Sequence, residues 1–348
     1  MTEAGRIGYL ARARTAIYWA LPAILLAIVF SQVDVPRFVQ ILRGVNVWLL
    51  IVGLLAYPTM IVVGAMRWQR LLQLYFKERV PFGFVLKHYY IGLAVGLFVP
   101  ASAGWDIYRV VVASKRLGSY GANIAAVVVE KIFAVLAMVA AIVALYPFVK
   151  SDLRSDMAFL PDVIRVAYAG AIIVLLCAAV AFLVRRKGVA LLLAKRIDGV
   201  GRALWAKLTR RVVAATDASN SGPRFIELVA RPFSRIGAFL TLAGLSILVQ
   251  AISSASGYFM FLALKAPVPM LINLFVTPLM IVAFMLPISF GSIGIREGAH
   301  VLLFGLFGVA GEAALAVSFF GLLGMLLNQA IGAAFIWSYR KEATPSSA

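Results

Sequence analysis

The sequence predicts an all-α polytopic membrane protein, with about six full transmembrane spans plus two re-entrant hairpins related by an inverted repeat. Three observations carry that expectation. Hydrophobic residues make up 63% of the 348, charged residues only 14%, and the mean hydropathy is +0.97. Two distant segments interrupt apolar runs with the same Pro/Gly spelling. Basic residues gather between the apolar runs, where a membrane protein keeps them. A soluble domain needs far more polar surface than this composition supplies.

The first apolar run, 15–31, follows Arg6, Arg12 and Arg14. That charged start is like a secretory signal, but no A-x-A-like cleavage site follows Ile24–Phe30, so an uncleaved anchor helix is expected. Further full spans are expected at 47–66, 119–146, 165–185, 236–264 and 312–339. Two other hydrophobic stretches, 84–99 and 270–287, each run into one of the breaks.

The first break reads Pro100-Ala-Ser102-Ala-Gly104-Trp105-Asp106-Ile-Tyr108-Arg109, and the second reads Pro287-Ile-Ser289-Phe-Gly291-Ser292-Ile-Gly294-Ile-Arg296-Glu297. In both, Ser follows Pro by two positions, Gly by four and Arg by nine. A broken helix inside a bilayer is costly unless protein or water satisfies the freed backbone groups. Matching breaks in two halves of a chain point to a binding site at a repeat interface. The likeness resumes at Gly121-Ala-Asn-Ile-Ala-Ala-Val and Gly311-Glu-Ala-Ala-Leu-Ala-Val, where the offset changes from 187 to 190 residues. The chain therefore divides as one membrane domain, 1–348. A first repeat, 47–146, contains a re-entrant element at 84–118, and a second repeat, 236–339, contains one at 270–310. A basic amphipathic segment, 186–235, joins them on the cytoplasmic side.

Loop charge sets the orientation. The N-terminus, the stretch carrying Arg67, Arg70, Lys77, Arg79 and Lys87, the pair Lys115 and Arg116, and Arg340 with Lys341 are all basic. Segment 185–235 holds twelve Lys/Arg against three acids, whereas loop 147–165 is balanced. Placing the basic segments in the cytoplasm puts both termini there and brings the two hairpins in from opposite faces of a cell inner (plasma) membrane. Within the long basic segment, Val189, Leu193, Ile197, Val200, Leu204, Leu208 and Val212 repeat at helical spacing. That helix either lies on an anionic leaflet or packs beneath the bundle. The net charge of +19 is accounted for by these loops, so no nucleic-acid partner is expected.

Cys177 is the only cysteine and the two histidines, His88 and His300, lie far apart. No H-E-x-x-H, P-loop or G-x-S-x-G pattern is present, so no metal, no cofactor and no catalytic residue is expected. The candidate site comes from charge placed at membrane depth, which is expensive and usually functional or paired. Asp106 and Arg109 share a helix face, Glu130 and Lys131 fall near mid-membrane, and Arg296 and Glu297 are adjacent and are expected to point in different directions. Arg109 and Arg296 offer planar forks suited to phosphate, beside helix starts that follow Gly104 and Gly294. Pro100, Gly104, Pro287, Gly291 and Gly294 shape the hairpin turns, and Ser102, Trp105 and Ser289 lie within them. Together these describe an anion site reached from both sides. Two alternatives stay open: the arginines are interface anchors that snorkel to headgroups, or Glu130 is a structural partner of Arg109 or Arg296. Gln250, Asn328 and Gln329 suit helix-to-helix hydrogen bonds. Trp19, Trp48, Trp68 and Trp337 suit an interfacial belt, His88 suits the interface beside Tyr89 and Tyr90, and His300 is a candidate proton relay.

At these residues the chain resembles the transmembrane region of lysylphosphatidylglycerol synthases and its stand-alone, flippase-like relatives. The resemblance rests on Phe98-Val-Pro100-x3-Gly104-x-Asp106-x2-Arg109, on Glu130-Lys131, and on Pro287-x-Ser289-x-Gly291-x2-Gly294-x-Arg296-Glu297-Gly298. It spans roughly 10–340. The first turn departs from the family's frequent Gly-Gly-Asp ending by carrying Trp105, and Lys131 stands where Arg is frequent. No acyltransferase domain follows, so aminoacyl-lipid synthesis is not implied. What the resemblance implies is movement of a lipid with an anionic or glycosylated headgroup between leaflets, a flippase whose partners are anionic or isoprenoid membrane lipids. A second copy of the chain or a lipid-modifying enzyme is a compatible protein partner. Two other functions fit the same residues. One is an intramembrane enzyme acting on a lipid-linked phosphate or sugar through Asp106, Glu130 or Glu297. The other is a non-transporting scaffold for a lipid-modifying partner.

Overall fold

The computed structural model describes residues 24, 26–31, 33–97, 103–153, 162, 165, 166, 168–170, 172, 225–284 and 294–343. Among these residues every regular element is helical. Pro100, Ser102, Pro287, Ser289 and Gly291, and the amphipathic stretch 188–213, lie outside the described residues.

A short helix, α1 (Val35–Arg43), starts where Asp34 accepts a hydrogen bond from the Arg37 amide at 3.1 Å. Asn46 then caps α2 (Val47–Tyr75), accepting from the amides of Trp48 and Leu49 at 3.1 and 3.2 Å. These caps satisfy donors that a helix start leaves free. Next come α3 (Phe82–Gly96), α4 (Ala103–Leu117) and α5 (Tyr120–Val149). The bend between α4 and α5 uses Gly118 at φ 73° and Ser119 at φ 48°. Asn123 holds that left-handed pair, its amide donating to the Gly118 and Ser119 carbonyls at 2.9 and 3.0 Å and to Ser114 Oγ at 3.1 Å. After α6 (Phe225–Ser234), the same order of lengths returns: α7 (Ile236–Ala263), α8 (Met270–Phe284), α9 (Ile295–Gly305) and α10 (Gly311–Ala343). Long, short, short, long thus occurs twice, and the two breaks fall between the short pairs.

Four of the helices, within Val47–Tyr75, Tyr120–Asp152, Ile236–Ala263 and Gly311–Ser338, are long and apolar enough to cross a membrane. At about 1.5 Å per residue each exceeds the roughly 30 Å of hydrocarbon. Their outward residues include Trp48, Leu55, Phe148, Leu240, Ile247 and Trp337, all exposed. A belt of that kind is stable against lipid and a liability in water. The chain is a multi-pass membrane protein.

Packing between the two helix sets is reciprocal. The first long helices, α2 and α7, run against one another. Ser256 of α7 donates to the Gly53 carbonyl of α2 at 2.8 Å, so small residues bring the backbones close. The short α3 packs on α10, and the short α8 packs on α5. Gly332 faces the backbone of Tyr90 so closely that a Cβ there would overlap its carbonyl. One apolar core gathers around α7–α10 and a second around α2, α3 and α5.

The helix bounds depart from expectation at one place that matters for the site. The second expected span ends at 66, with Arg67 in a basic loop; instead α2 continues to Tyr75 and Arg67 is buried. Gly64, Arg67, Trp68, Leu71 and Leu72 are all buried. They recur at helical spacing, so the arginine belongs to the packed face.

Candidate functional site

Asp106 and Arg109 lie one turn apart near the start of α4, just beyond the first break. Arg109 Nη2 donates to Asp106 Oδ1 at 2.6 Å. Helix α5 brings Glu130 to the other side of the guanidinium, where Arg109 Nη1 donates to Glu130 Oε2 at 2.8 Å. Helix α2 supplies Arg67, whose Nη2 donates to Glu130 Oε1 at 3.0 Å while its Nη1 donates to Ser246 Oγ of α7, also at 3.0 Å. The Tyr89 hydroxyl of α3 donates to Glu130 Oε1 at 3.2 Å. At the other end Lys131 Nζ lies 3.1 Å from Asp106 Oδ2. The result is a chain of alternating charge, Arg67–Glu130–Arg109–Asp106–Lys131, anchored on Ser246 of the second helix set.

Arg109, Glu130 and Arg67 are buried, while Asp106 and Lys131 are partly open. Charges sealed this way are tolerable only when paired. Aromatic rings complete the enclosure: the Arg109 guanidinium carbon lies 5.1 Å from the Trp68 ring centre and 4.8 Å from those of Tyr89 and Trp105. Ring faces attract cations. Trp105 reaches this position because Gly92 and Gly96 leave a notch for it; a Cβ on Gly92 would meet its Cδ1 at 2.6 Å. Three cations face two carboxylates. The Nε groups of Arg67 and Arg109 and the indole N–H of Trp105 are buried with no acceptor among the described residues.

The second cluster starts at Gly294, whose φ of 85° suits glycine. Its amide donates to Glu297 Oε2 at 2.6 Å. Arg296 curls back to give Glu297 Oε1 two hydrogen bonds, from Nε at 3.1 Å and Nη2 at 2.9 Å, and Ser318 Oγ donates to the same oxygen at 3.3 Å. His300 is buried, with Nδ1 2.8 Å from the Arg296 carbonyl and its ring stacked toward Phe284.

Comparison with known protein families gives one match, to the model described as the lysylphosphatidylglycerol synthase TM region, over residues 13–337. The chain belongs to that family. Comparison with curated proteins and with solved structures finds no match. Membership in the lysylphosphatidylglycerol synthase TM-region family agrees with the resemblance carried by Gly104-x-Asp106-x2-Arg109, Glu130-Lys131 and Gly294-x-Arg296-Glu297, and it assigns the chain to lipid-related work at a membrane.

Within this family member the anticipated residues that are described fall into two clusters. Trp105, Asp106, Arg109 and Glu130 come together; Arg296 and Glu297 form a separate cluster. Among the described residues no hydrogen bond or ion pair joins the two. Both arginines are occupied by carboxylates rather than presented to a ligand, so the structural-partner alternative for Glu130 describes its position. Arg296 and Glu297 were expected to diverge; the capping bond from Gly294 instead fixes the carboxylate where the long arginine can fold onto it. Three residues were misplaced by the sequence. Arg67 and Trp68 were assigned to a loop and an interface, yet both are buried around Glu130 and Arg109. His88 is buried too, with Nδ1 2.8 Å from the Tyr108 hydroxyl. Ser246 carried no sequence signal at all. Asn328 bonds its own helix at the Gly324 carbonyl rather than a neighbour, while Trp48 and Trp337 are exposed as belt residues should be.

Proposed function

We propose that this protein moves a lipid with an anionic or glycosylated headgroup between the leaflets of the inner (plasma) membrane, as a flippase and not as an enzyme. The observation that carries this reading is the enclosed chain of five charges whose last two members, Asp106 and Lys131, are partly open beside the start of α4. Ion pairs at membrane depth cost several kcal/mol to bury, about 3–5 kcal/mol when one partner is lost, and are retained in transporters along substrate paths. The lipid headgroup would approach this open edge while its acyl chains stay in the bilayer. The second cluster, equally placed after a break, would flank the path from the other helix set.

The six-span count, the opposed re-entrant hairpins and the cytoplasmic termini belong to the same proposal. Their support is the recurrence of long, short, short, long helices and the reciprocal pairing of α3 with α10 and α8 with α5. Reciprocal pairing is what a two-fold relation between halves produces. Cysteine labelling tests the topology. In a Cys177→Ser background, Lys265→Cys should react from outside the cell; reaction only from the cytoplasm overturns the scheme.

Activity is tested by reconstituting the purified protein into liposomes containing fluorescent lipids and quenching the outer leaflet. Protein-containing vesicles should lose more than the outer-leaflet signal for an anionic or isoprenoid lipid. Absence of transfer for every such lipid sinks the flippase reading and leaves a scaffold for a lipid-modifying partner in its place.

A further inference from the structure

The membrane-depth cations of this molecule differ in access. Arg109 is fully buried, Arg67 nearly so, and both spend their terminal nitrogens on protein acceptors. Lys131 has a side chain 40% exposed, and among the described residues its polar neighbour is Asp106, itself 22% exposed on the side chain. It lies eleven residues into α5 (Tyr120–Val149), about 16 Å from the helix start at 1.5 Å per residue. A half-open ammonium at such depth is unstable against hydrocarbon and needs a polar group beside it. The chain to which it belongs has one more cation than carboxylates, so the group that best complements it carries negative charge. Trp105 fixes the geometry. Lys131 Nζ lies 5.0 Å from its ring centre and Arg109 Cζ 4.8 Å, so the open ammonium and the sealed guanidinium share one indole as well as one carboxylate.

We infer that Lys131 is the contact for the phosphate of an anionic lipid headgroup, and that the phosphate takes this ammonium from Asp106. The inference rests on the lipid-transfer reading for its purpose and narrows the headgroup from anionic or glycosylated to phosphate-bearing with net negative charge. The exchange has a consequence inside the protein. Once Lys131 turns to phosphate, Asp106 is held by Arg109 alone, and the pairs Arg109–Glu130 and Arg67–Glu130 transmit the change to Ser246 on α7. Lys131 thus selects the lipid, and the sealed arginines position the helices.

Native mass spectrometry of the detergent-solubilised full chain with equimolar phosphatidylglycerol and phosphatidylcholine tests this directly, with inorganic phosphate as a separate competitor. The wild type should retain phosphatidylglycerol preferentially, by about tenfold, the value of one charge-assisted hydrogen bond. Lys131→Gln should abolish the preference and Lys131→Arg should keep it. Equal retention of both lipids by the wild type overturns the inference, and so does an unchanged preference in a folded Lys131→Gln protein. Displacement of phosphatidylglycerol by millimolar inorganic phosphate assigns the site to free phosphate and overturns the lipid headgroup as its occupant. Leaflet transfer is measured separately. Lost binding preference with intact transfer removes Lys131 and keeps the flippase; selective binding without transfer removes the flippase and keeps Lys131.

Discussion

The two charge clusters of this molecule follow similarly spelled Pro/Gly segments, yet they are built differently. After the first break Arg109 draws its carboxylates from a turn earlier, Asp106, and from another helix, Glu130; Glu130 also holds Arg67 of a third helix. After the second break Arg296 finds its carboxylate next door, and Glu297 is tied to the amide of Gly294 in the same turn. One cluster joins α2, α4 and α5 and reaches α7 through Ser246. The other is local to the start of α9, with a hydrogen bond from Ser318 of α10. A break is followed by a helix start and an arginine; what surrounds them decides whether the arginine becomes a local cap or the centre of a network.

Removing the shared carboxylate tests that distinction most severely. Glu130→Gln leaves Arg67 and Arg109 both buried with only Asp106 to offset them. Loss of one partner from a buried pair costs about 3–5 kcal/mol, and here two cations lose a partner together. Thermal unfolding in detergent should show the largest fall of any substitution in either cluster. Glu297→Gln should cost less, about 1.5–3 kcal/mol for hydrogen bonds to a charged group. It strands one cation, and a glutamine oxygen can still accept from the Gly294 amide. Equal losses for the two variants would erase the difference between network and cap.

That difference was only partly legible in the sequence. Hydropathy located the four described helices that are long and apolar enough to cross a membrane, because it reports a local chain property. Arg109, Asp106 and Glu130 stood out because charge inside apolar runs is rare. Arg67 did not stand out: it follows an apolar run of ordinary span length and precedes Arg70, so it reads as the first basic residue of a loop. Only the phase it shares with Gly64, Trp68 and Leu71 marks it as inward-facing, and that signal depends on knowing that the helix continues. Ser246 is one of several serines along α7 and becomes distinctive only once Arg67 is seen to reach it. Arg296 and Glu297 were read by helix geometry alone, which separates adjacent side chains; the Gly294 cap overrides that geometry.

The aromatic enclosure is a further asymmetry. Trp105 occupies the notch left by Gly92 and Gly96 and lies against both Lys131 and Arg109. Gly92→Ala places a methyl group against the indole, with the Trp105 carbonyl 3.4 Å away. Overpacking of this kind costs about 1–3 kcal/mol. The indole should also move, changing Trp fluorescence relative to a Trp105→Phe control. An unchanged spectrum and unchanged stability would show that the notch does not position Trp105.

The smallest effect should come from the hydroxyls that tie each cluster to its neighbour. Ser246 accepts from Arg67 Nη1 at 3.0 Å and donates to the Leu242 carbonyl at 2.8 Å, so it is fixed in an orientation that presents its lone pair to the guanidinium. Ser246→Ala strands one guanidinium nitrogen in a buried position, beside an Nε that already lacks an acceptor. The expected cost is about 1–2 kcal/mol. Ser318 bonds Glu297 Oε1 at 3.3 Å, a longer contact to an oxygen that already receives two bonds from Arg296, and Ser318→Ala should cost less than about 1 kcal/mol. A double-mutant cycle sharpens the contrast. Ser246→Ala should lose most of its effect in an Arg67→Met background, because the hydroxyl then has no cation to serve. Full additivity of that pair would mean that Arg67 does not carry the first cluster across to the second helix set.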